Sequence, residues 1–223
     1  MYNHHMPANT CEIRLCTACG LRYPLLEGHP FGTRCPNCMG ETRLLLNRNL
    51  ILEPDLIRPV SSLAPASSPK RSKTLSVLLD SIRSAWNVGS ILRSADGFGF
   101  SHAYLCGITP TPDNEAVTKT SLGAEDSVSW SHHKDAVKLI LGLKKQGWRI
   151  WALEEAEGAQ TIRSAAPPRT DQPTVLILGN EVTGVDPGLL DQCDAVFYIP
   201  MRGEKKSFNV AMAFSIAAYQ LDK

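Results

Sequence analysis

The amino-acid sequence predicts an α/β protein, with a parallel sheet covered by helices on both faces and a small metal-binding module before it. Four cysteines near the N-terminus form two CxxC pairs: Cys16, Cys19, Cys35 and Cys38. From Leu75 onward, continuous apolar segments alternate with segments of helical periodicity, a pattern typical of parallel sheets buried on both faces. A stretch rich in serine, proline and alanine separates these two regions.

The two CxxC pairs predict a structural zinc site. Fifteen residues separate the first pair from the second, and two thiolate pairs at this spacing suit a tetrahedral zinc ion. The segment between them has too few apolar residues for its own core, so metal binding is expected to supply its folding energy. Cys11 and His29 are alternative ligands, and disulfide pairing and a redox CxxC are alternative interpretations. The fragment as a whole resembles a zinc ribbon.

The stretch "SSLAPASSPKRSK" predicts the domain boundaries. It covers residues 61–73 and has no apolar periodicity, as expected for a linker. An N-terminal module of residues 1–60 precedes it, and a C-terminal domain of residues 74–223 follows. The second region is near the usual size of one domain, about 150 residues.

The composition is that of an ordinary globular protein. Of the 223 residues 43% are hydrophobic and 20% are charged, and the formal net charge is +1. Contact with RNA would therefore depend on local basic clusters such as "PKRSK" and "RGEKK". No stretch approaches the roughly 20 apolar residues that span a bilayer, and "MYNHHMPANT" lacks the order of a secretory signal. These observations predict a cytoplasmic protein without a membrane partner.

The C-terminal domain begins with a predicted strand, "LSVLLD", then a helix in "VGSILRSADGFG" and a second strand, "SHAYLCGI". The segment "DAVKLILGLKKQG" predicts a helix, because Ala136, Leu139, Ile140 and Leu143 recur on one face and Gly147 follows them. Three further strands are predicted in "WRIWALEE", "TVLILGNE" and "AVFYIP".

A last helix is predicted from Val210 to Leu221, and it carries almost no charge. Phe214 and Ala217 fall on its main apolar stripe, whereas Met212, Ile216 and Tyr219 fall off that stripe. A helix that is apolar nearly all round is expected to be buried on more than one side.

Three polar clusters follow predicted strands: "DSIRSAWNVGSILRSADGFG", "LILGNEVTGVD" and "IPMRGEKKSFNVA". Ligands of open α/β sheets gather at the carboxyl ends of strands, so these clusters are the candidate site. Neither GxGxxG nor GxxxxGK[ST] occurs after the first strand, which disfavours a conventional dinucleotide or phosphate-loop enzyme.

In order and spacing, the three clusters resemble the motifs of the SpoU (TrmH-like) RNA ribose 2'-O-methyltransferases of the SPOUT class. The likeness covers Leu75 to Lys223. The residues that match the family motifs are Asn87, Gly89, Arg93, Gly179, Glu181, Gly184, Ile199, Pro200, Met201, Gly203, Ser207, Asn209 and Val210. Phe208 stands where the family usually has leucine, Ala211 where it often has serine, and Trp86 where a proline commonly precedes the asparagine.

The resemblance implies a parallel-sheet SPOUT domain with a C-terminal trefoil knot, and a homodimer formed through the knot and the last helix. It implies S-adenosylmethionine as cofactor and a ribose 2'-hydroxyl of structured RNA, in tRNA or rRNA, as methyl acceptor. The implied catalytic residues are Arg93, Asn87, Glu181, Ser207 and Asn209. The implied cofactor-binding residues are Leu178, Gly179, Ile199, Met201 and Phe208.

Arg93 is the residue that the family implicates in removing the ribose proton. A free arginine is a poor base because its pKa lies above about 12. Stabilising the developing alkoxide, or clamping a neighbouring phosphate, are therefore equal alternatives. Two other functions are a knotted methyltransferase acting on a base or another acceptor, and a catalytically silent RNA-binding or ribosome-assembly factor. The presence of Asn87 and Arg93 favours the ribose methyltransferase.

Overall fold

The structure is a computed structural model that describes residues 10–26, 28–49, 72–165, 172–204 and 207–222. The chain divides into two compact units, residues 1–66 and 67–223. The predicted linker, residues 61–73, lies outside the described residues except for its last two positions, which begin a strand.

The N-terminal unit contains a three-stranded antiparallel sheet. Its strands are β1 (Thr10–Cys16), β2 (Arg22–Leu26) and β3 (Thr42–Asn49), in the order β2-β1-β3. Among the described side chains of this unit, only those of Cys16 and Cys35 are fully buried apolar groups. The described part of this unit therefore has almost no hydrophobic core, and its buried centre is formed by Cys16 and Cys35.

The described part of the second unit contains seven parallel strands and six α-helices. The strands are β4 (Ser72–Asp80), β5 (Phe100–Cys106), β6 (Ser129–His133), β7 (Arg149–Leu153), β8 (Gln160–Thr161), β9 (Thr174–Leu178) and β10 (Ala195–Tyr198). The helices are α1 (Ala85–Gly97), α2 (Glu115–Ser121), α3 (Ala124–Ser127), α4 (Ala136–Lys145), α5 (Pro187–Leu190) and α6 (Val210–Leu221).

The strand order places a topological switch point in the middle of the sheet. The order is β6-β5-β4-β9-β7-β10-β8, and every described strand pair is parallel. From β4 the chain builds outward through β5 and β6, and it later returns to place β9 on the other side of β4. Loops that leave β4 and β9 in opposite directions open a crevice at their carboxyl ends, where open α/β sheets bind ligands.

Both faces of the sheet are covered, as the sequence predicts. Val77 and Leu79 of β4 pack with α1 and α6, whereas Leu78 packs with α4 and α5 on the opposite face. Such alternation follows from the two-residue period of a strand. Within the described part of the chain, no helix is long and apolar enough to cross a membrane.

Helix α6 divides its apolar side chains between the core and the surface. Phe214 and Ala217 are fully buried against the sheet and α1, and Phe214 stacks edge-on against Phe100. Met212 and Tyr219 are 58% and 71% exposed. Within one chain, the helix is therefore buried on one side only, and an apolar stripe on its other side faces outward.

Candidate active site and metal centre

A cavity of about 500 Å³ opens at the carboxyl ends of β7, β9 and β10. Its walls come from the loop after β9 and from the segment between β10 and α6. Eight of the ten residues predicted to act in catalysis or cofactor binding line it: Leu178, Gly179, Glu181, Ile199, Met201, Ser207, Phe208 and Asn209.

The loop after β9 folds back on itself tightly. The backbone groups of Asn180 and Gly184 exchange hydrogen bonds of 3.0 and 2.9 Å, and Gly184 adopts a left-handed conformation with φ of 73°. A Cβ atom at Gly179 would lie 2.2 Å from the backbone of Gly184 and Val185. Only glycine fits at residue 179, because the chain's own loop fills the space that a side chain would need.

The side chain of Asn180 fastens this loop to the loop after β4. Its Nδ2 donates to the Ser81 carbonyl oxygen at 2.6 Å, and its Oδ1 accepts from the backbone N–H groups of Val182 and Thr183. The sequence analysis did not single out Asn180. Its amide satisfies backbone groups on both sides of the switch point, which an apolar residue cannot do.

Glu181 joins the same two loops through its carboxylate. Its oxygens accept hydrogen bonds from the backbone N–H groups of Arg83 at 2.8 Å and Ser84 at 3.1 Å, and from Asn87 Nδ2 at 3.0 Å. Partial burial acts to raise the pKa of Glu181, but donation from these groups outweighs burial and lowers the pKa. The carboxylate is therefore held charged and in one orientation.

Asn87 extends this network to the start of α6. Asn209 Nδ2 donates to Asn87 Oδ1 at 3.0 Å, and Asn209 Oδ1 caps α6 by accepting from the N–H groups of Ala211 and Met212. Glu181, Asn87 and Asn209 thus form one chain of hydrogen bonds that joins the three predicted motifs. Asn209 is both an N-cap and a network member.

Replacing Glu181 by glutamine is expected to lower stability near neutral pH. Three donors converge on its two oxygens, and an amide would set a donor against one of them. The loss should be about 1 kcal/mol, or a fall of roughly 2–4 °C in melting temperature. Because the folded-state pKa is lowered, this stabilisation is present above the ordinary pKa and disappears as the pH falls through the folded value. Thermal unfolding at successive pH values measures both effects.

Glu157→Gln is the matched control, because Glu157 is exposed in a turn outside the cavity. It should melt like the wild-type protein at every pH. The expectation fails if Glu181→Gln and the wild type keep the same melting temperature at pH 7, or if their difference does not shrink as the pH falls through the acid range.

An apolar floor lies beside the polar network. Leu178 ends β9 and is buried, Ile199 and Met201 follow β10, and Phe208 is 41% exposed at the cavity edge. A pocket with apolar walls and a few oriented polar groups is typical of small-ligand sites. Ser207 lies on the lining and is exposed, so its hydroxyl can turn toward a ligand.

Arg93 lies outside the cavity lining, on the exposed surface of α1. It follows Asn87 by six residues, which turns its side chain about 240° around the helix axis. Asn87 faces Glu181 and Asn209, so Arg93 leaves the helix in a different direction. The structure brings the other four predicted catalytic residues together and places Arg93 on an adjacent surface.

Two acidic lining residues were missed by sequence analysis, Glu154 and Glu155 at the end of β7. Glu154 Oε2 accepts from the Val185 N–H at 2.9 Å, and Oε1 accepts from the Glu155 N–H at 3.0 Å. The backbone N–H of Glu154 donates to the Phe197 carbonyl oxygen. The signal was present in "WALEE", because the carboxyl end of any parallel strand in the sheet reaches the same edge.

The four predicted metal ligands form a compact group in the N-terminal unit. The Sγ atoms of Cys16, Cys19, Cys35 and Cys38 all lie within 4.8 Å of one another. The distances from Cys16 to Cys38 and from Cys19 to Cys35 are 3.5 and 3.7 Å. Zinc–sulfur bonds of about 2.3 Å in a tetrahedron place the sulfurs about 3.8 Å apart, so the arrangement fits a zinc ion. A disulfide would need about 2.05 Å, and all four thiols are free.

Backbone amides support these sulfurs. The N–H groups of Cys19 and Asn37 donate to the sulfurs of Cys16 and Cys35, each at 3.4 Å. The Leu21 amide, with the neighbouring thiols, lowers the pKa of Cys19 to about 6, whereas the thiols of Cys19 and Cys16 raise the pKa of Cys38 to about 12. Cys19 is therefore the thiol of this pair that ionises first, and a thiolate is the form that binds metal.

The alternative ligands lie outside this group. His29 Nδ1 accepts from the Phe31 N–H at 3.2 Å and caps a short 3₁₀ turn. Cys11 lies on β1, with its Sγ 3.9 Å from the Glu12 carbonyl oxygen. Neither belongs to the cluster of possible ligands among the described residues.

The sequence is similar to several curated proteins. A tRNA (guanosine(18)-2'-O)-methyltransferase of Aquifex aeolicus is 29% identical over 156 residues, which cover 69% of this chain and 71% of the relative. The 23S rRNA (guanosine(2553)-2'-O)-methyltransferase RlmP of Bacillus subtilis is 29% identical over 147 residues, covering 65% and 56% of the two chains.

The fold matches a solved structure of the same kind. The SpoU methyltransferase AviRb from Streptomyces viridochromogenes, in complex with the cofactor AdoMet, superimposes with a TM-score of 0.62 at 26% identity. The match covers 69% of this chain and 61% of that one. The chain thus spans less than two thirds of the length of AviRb and of the Bacillus relative.

The profile of the SpoU rRNA Methylase family matches residues 74–219. That range contains all seven parallel strands except the first two residues of β4, and every residue of the cavity named above. The match covers well over half of the sequence, and the chain therefore belongs to the SpoU rRNA Methylase family.

Proposed function

We propose that this protein transfers a methyl group from S-adenosylmethionine to a ribose 2'-hydroxyl of structured RNA. The observation that carries the proposal is the hydrogen-bonded chain Glu181, Asn87 and Asn209 beside a cavity with an apolar floor at the carboxyl ends of β7, β9 and β10. The curated relatives named above are guanosine 2'-O-methyltransferases of tRNA and 23S rRNA. Membership of the family also supports a trefoil knot in the C-terminal segment, which a crystal structure would test.

The cavity residues fit the proposed cofactor. Ile199, Met201 and Phe208 offer an apolar bed for an adenine ring, and the tight loop from Gly179 to Gly184 brings main-chain groups to its rim. When bound, S-adenosylmethionine supplies a methyl group activated by a sulfonium. The chain's own contribution is to hold the acceptor in line and to assist loss of its proton.

The polar network orients groups toward the acceptor. Glu181 holds the loop before α1 through the Arg83 and Ser84 amides and fixes the side chain of Asn87. Arg93 lies on the same helix, so the network also sets the position of its backbone. We assign to its guanidinium the stabilisation of the developing alkoxide or of the neighbouring phosphate, because an arginine stays protonated throughout the usable pH range.

A methyl-transfer assay tests this function. The purified protein is incubated with labelled S-adenosylmethionine and bulk unmodified RNA, and the RNA is then digested to nucleosides. The expected product is a 2'-O-methylated nucleoside, and mapping it identifies the substrate RNA. A methylated base would replace the proposal with a knotted methyltransferase of another acceptor. Cofactor binding without transfer to any RNA pool would favour a silent RNA-binding factor.

We further propose that the N-terminal unit, within residues 1–60, is a zinc module connected by the linker 61–73 to the methyltransferase domain, residues 74–223. The sulfur distances and amide support described above favour a structural zinc ion. Cysteines that bind zinc rather than form disulfides are typical of a reducing compartment, which supports a cytoplasmic location. A labelled full-length chain followed by microscopy would test that location.

A homodimer is proposed through the exposed stripe of α6, formed by Met212, Ile216 and Tyr219. These residues recur at helical spacing, and contiguous apolar surface of this kind marks association sites. Replacing Met212 by lysine is expected to convert a dimer to a monomer, because it would bury a charge in the interface. Sedimentation measures the mass. Leu141→Lys, at a leucine of α4 that is 43% exposed, is the matched control and should stay dimeric; a Met212→Lys dimer would contradict the proposal.

A further inference from the structure

The cavity has an uneven charge. Three carboxylates line it, those of Glu154, Glu155 and Glu181. No lysine, arginine or histidine is found among its described lining residues. A ligand that enters therefore meets negative charge without a compensating side-chain cation in the described walls.

The three carboxylates differ in the groups that donate hydrogen bonds to them. Glu181 accepts three hydrogen bonds from the loop before α1 and from Asn87. Glu154 accepts from two backbone amides, those of Val185 and Glu155. The side chain of Glu155 is exposed and makes no hydrogen bond within the described part of the chain. Glu154 and Glu181 are thus fixed parts of the loops, whereas Glu155 is free to turn toward a ligand.

The proposed cofactor changes charge during the reaction. S-adenosylmethionine carries a sulfonium, an ammonium and a carboxylate, for a net charge of +1. In the transfer, the bond from sulfur to the methyl carbon breaks and its electron pair stays on sulfur. The ribose oxygen bonds to the methyl carbon, and its proton leaves to solvent. The product, S-adenosylhomocysteine, is a neutral thioether with a net charge of zero.

We propose that the three carboxylates make this cavity select the charged methyl donor over the neutral product, and that Glu155 is a specificity-determining residue for this choice. The inference rests on the proposed function, because it concerns the same cofactor. Donor and product have nearly the same shape, so apolar contacts alone distinguish them weakly. A carboxylate several ångströms from the sulfonium in a partly solvated site favours the cation by about three- to tenfold.

This selection also assists turnover. Product that stays in the cavity inhibits the next cycle, and loss of the positive charge removes the attraction that held the donor. The effect is electrostatic at an open site, so salt should weaken it. The phosphates of a bound RNA make the local electrostatic potential more negative, which further favours the positively charged donor.

Calorimetric titration of the full chain tests the inference with three probes. They are S-adenosylmethionine, S-adenosylhomocysteine and sinefungin, which carries a protonated amine in place of the methylsulfonium and cannot transfer a methyl group. In Glu155→Gln, the dissociation constants of the two cationic probes should rise about three- to tenfold, whereas that of the neutral product should change less than about twofold. Raising the salt concentration should weaken binding of the two cationic probes to the wild type, whereas binding of the neutral product should hardly change.

Glu157→Gln removes the same charge from the same loop outside the cavity, and it should leave all three constants near the wild-type values. The inference is overturned if Glu155→Gln weakens donor and product equally, which would indicate a contact to a group that both share, or if it weakens neither. If none of the three probes binds the wild-type protein, the proposed function itself fails. If all three probes bind but their affinities do not depend on charge, the inference is overturned while the proposed function stands.

Discussion

Replacing Arg93 by alanine is expected to lower the rate of methyl transfer by about a hundredfold to a thousandfold, while the affinity for S-adenosylmethionine changes less than about twofold. Removal of one group that stabilises developing charge typically has an effect of this size. Arg93 lies outside the lining of the cavity, so its replacement should leave the contacts to the cofactor intact. Single-turnover rates and calorimetric titration measure the two quantities separately.

Arg93→Lys separates the possible roles of this side chain. Lysine keeps the positive charge but lacks the planar fork that grips phosphate or alkoxide in two places, so a partial rate is expected. Arg163→Ala is the matched control, because Arg163 is exposed in a 3₁₀ turn outside the cavity. The assignment is wrong if Arg93→Ala keeps more than about a third of the wild-type rate, or if its main defect is in cofactor binding.

Replacing Cys19 by serine is expected to abolish metal binding and unfold the N-terminal module. The wild-type chain should contain one zinc ion. The described side chains of the N-terminal module form almost no apolar core. In such modules, metal binding supplies the free energy of folding. Elemental analysis measures the metal, and limited proteolysis measures the fold. The module should become sensitive to protease, whereas the methyltransferase domain should resist it and retain cofactor binding.

Cys11→Ser controls for the loss of a thiol, because Cys11 lies on β1 outside the cluster. This variant should keep its zinc and its resistance to protease. A wild-type chain that carries no zinc after purification under reducing conditions would contradict the proposed metal site. So would a Cys19→Ser variant that binds zinc as tightly as the wild type does.

Most of the sheet was predictable because its inner strands are apolar on both faces. The segments "LSVLLD" and "TVLIL" became β4 from Leu75 onward and β9, and the side chains of both segments are buried. Strand β6, with the sequence "SWSHH", was not predicted, since an edge strand has polar residues and a mixed burial pattern. The three strands of the N-terminal unit also escaped prediction. A signal was present in β1, where Cys11, Ile13 and Leu15 alternate with the polar Glu12 and Arg14.

The site was predictable where motifs mark it, and less so where only geometry does. Glu181, Asn87 and Asn209 come from distant segments, yet each was singled out, and the structure joins them by hydrogen bonds. Glu154 was missed because strand-end carboxylates are common, and its only signal was that it follows a predicted parallel strand whose carboxyl end shares the edge of the site. The catalytic roles of Glu181, Asn87 and Asn209 stay predictions until the variants are measured.

The chain of hydrogen bonds through Asn87 also has a consequence for biosynthesis. Asn87 is 94 positions from Glu181 and 122 positions from Asn209. During translation, the central strands can be made long before Asn209 leaves the ribosome, but the network cannot close until it does. A polypeptide truncated before α6 would therefore lack a working centre, even with most of the sheet present. Under the proposed function, methyl transfer would be restricted to chains whose synthesis has passed α6, and incomplete products would leave RNA unmodified.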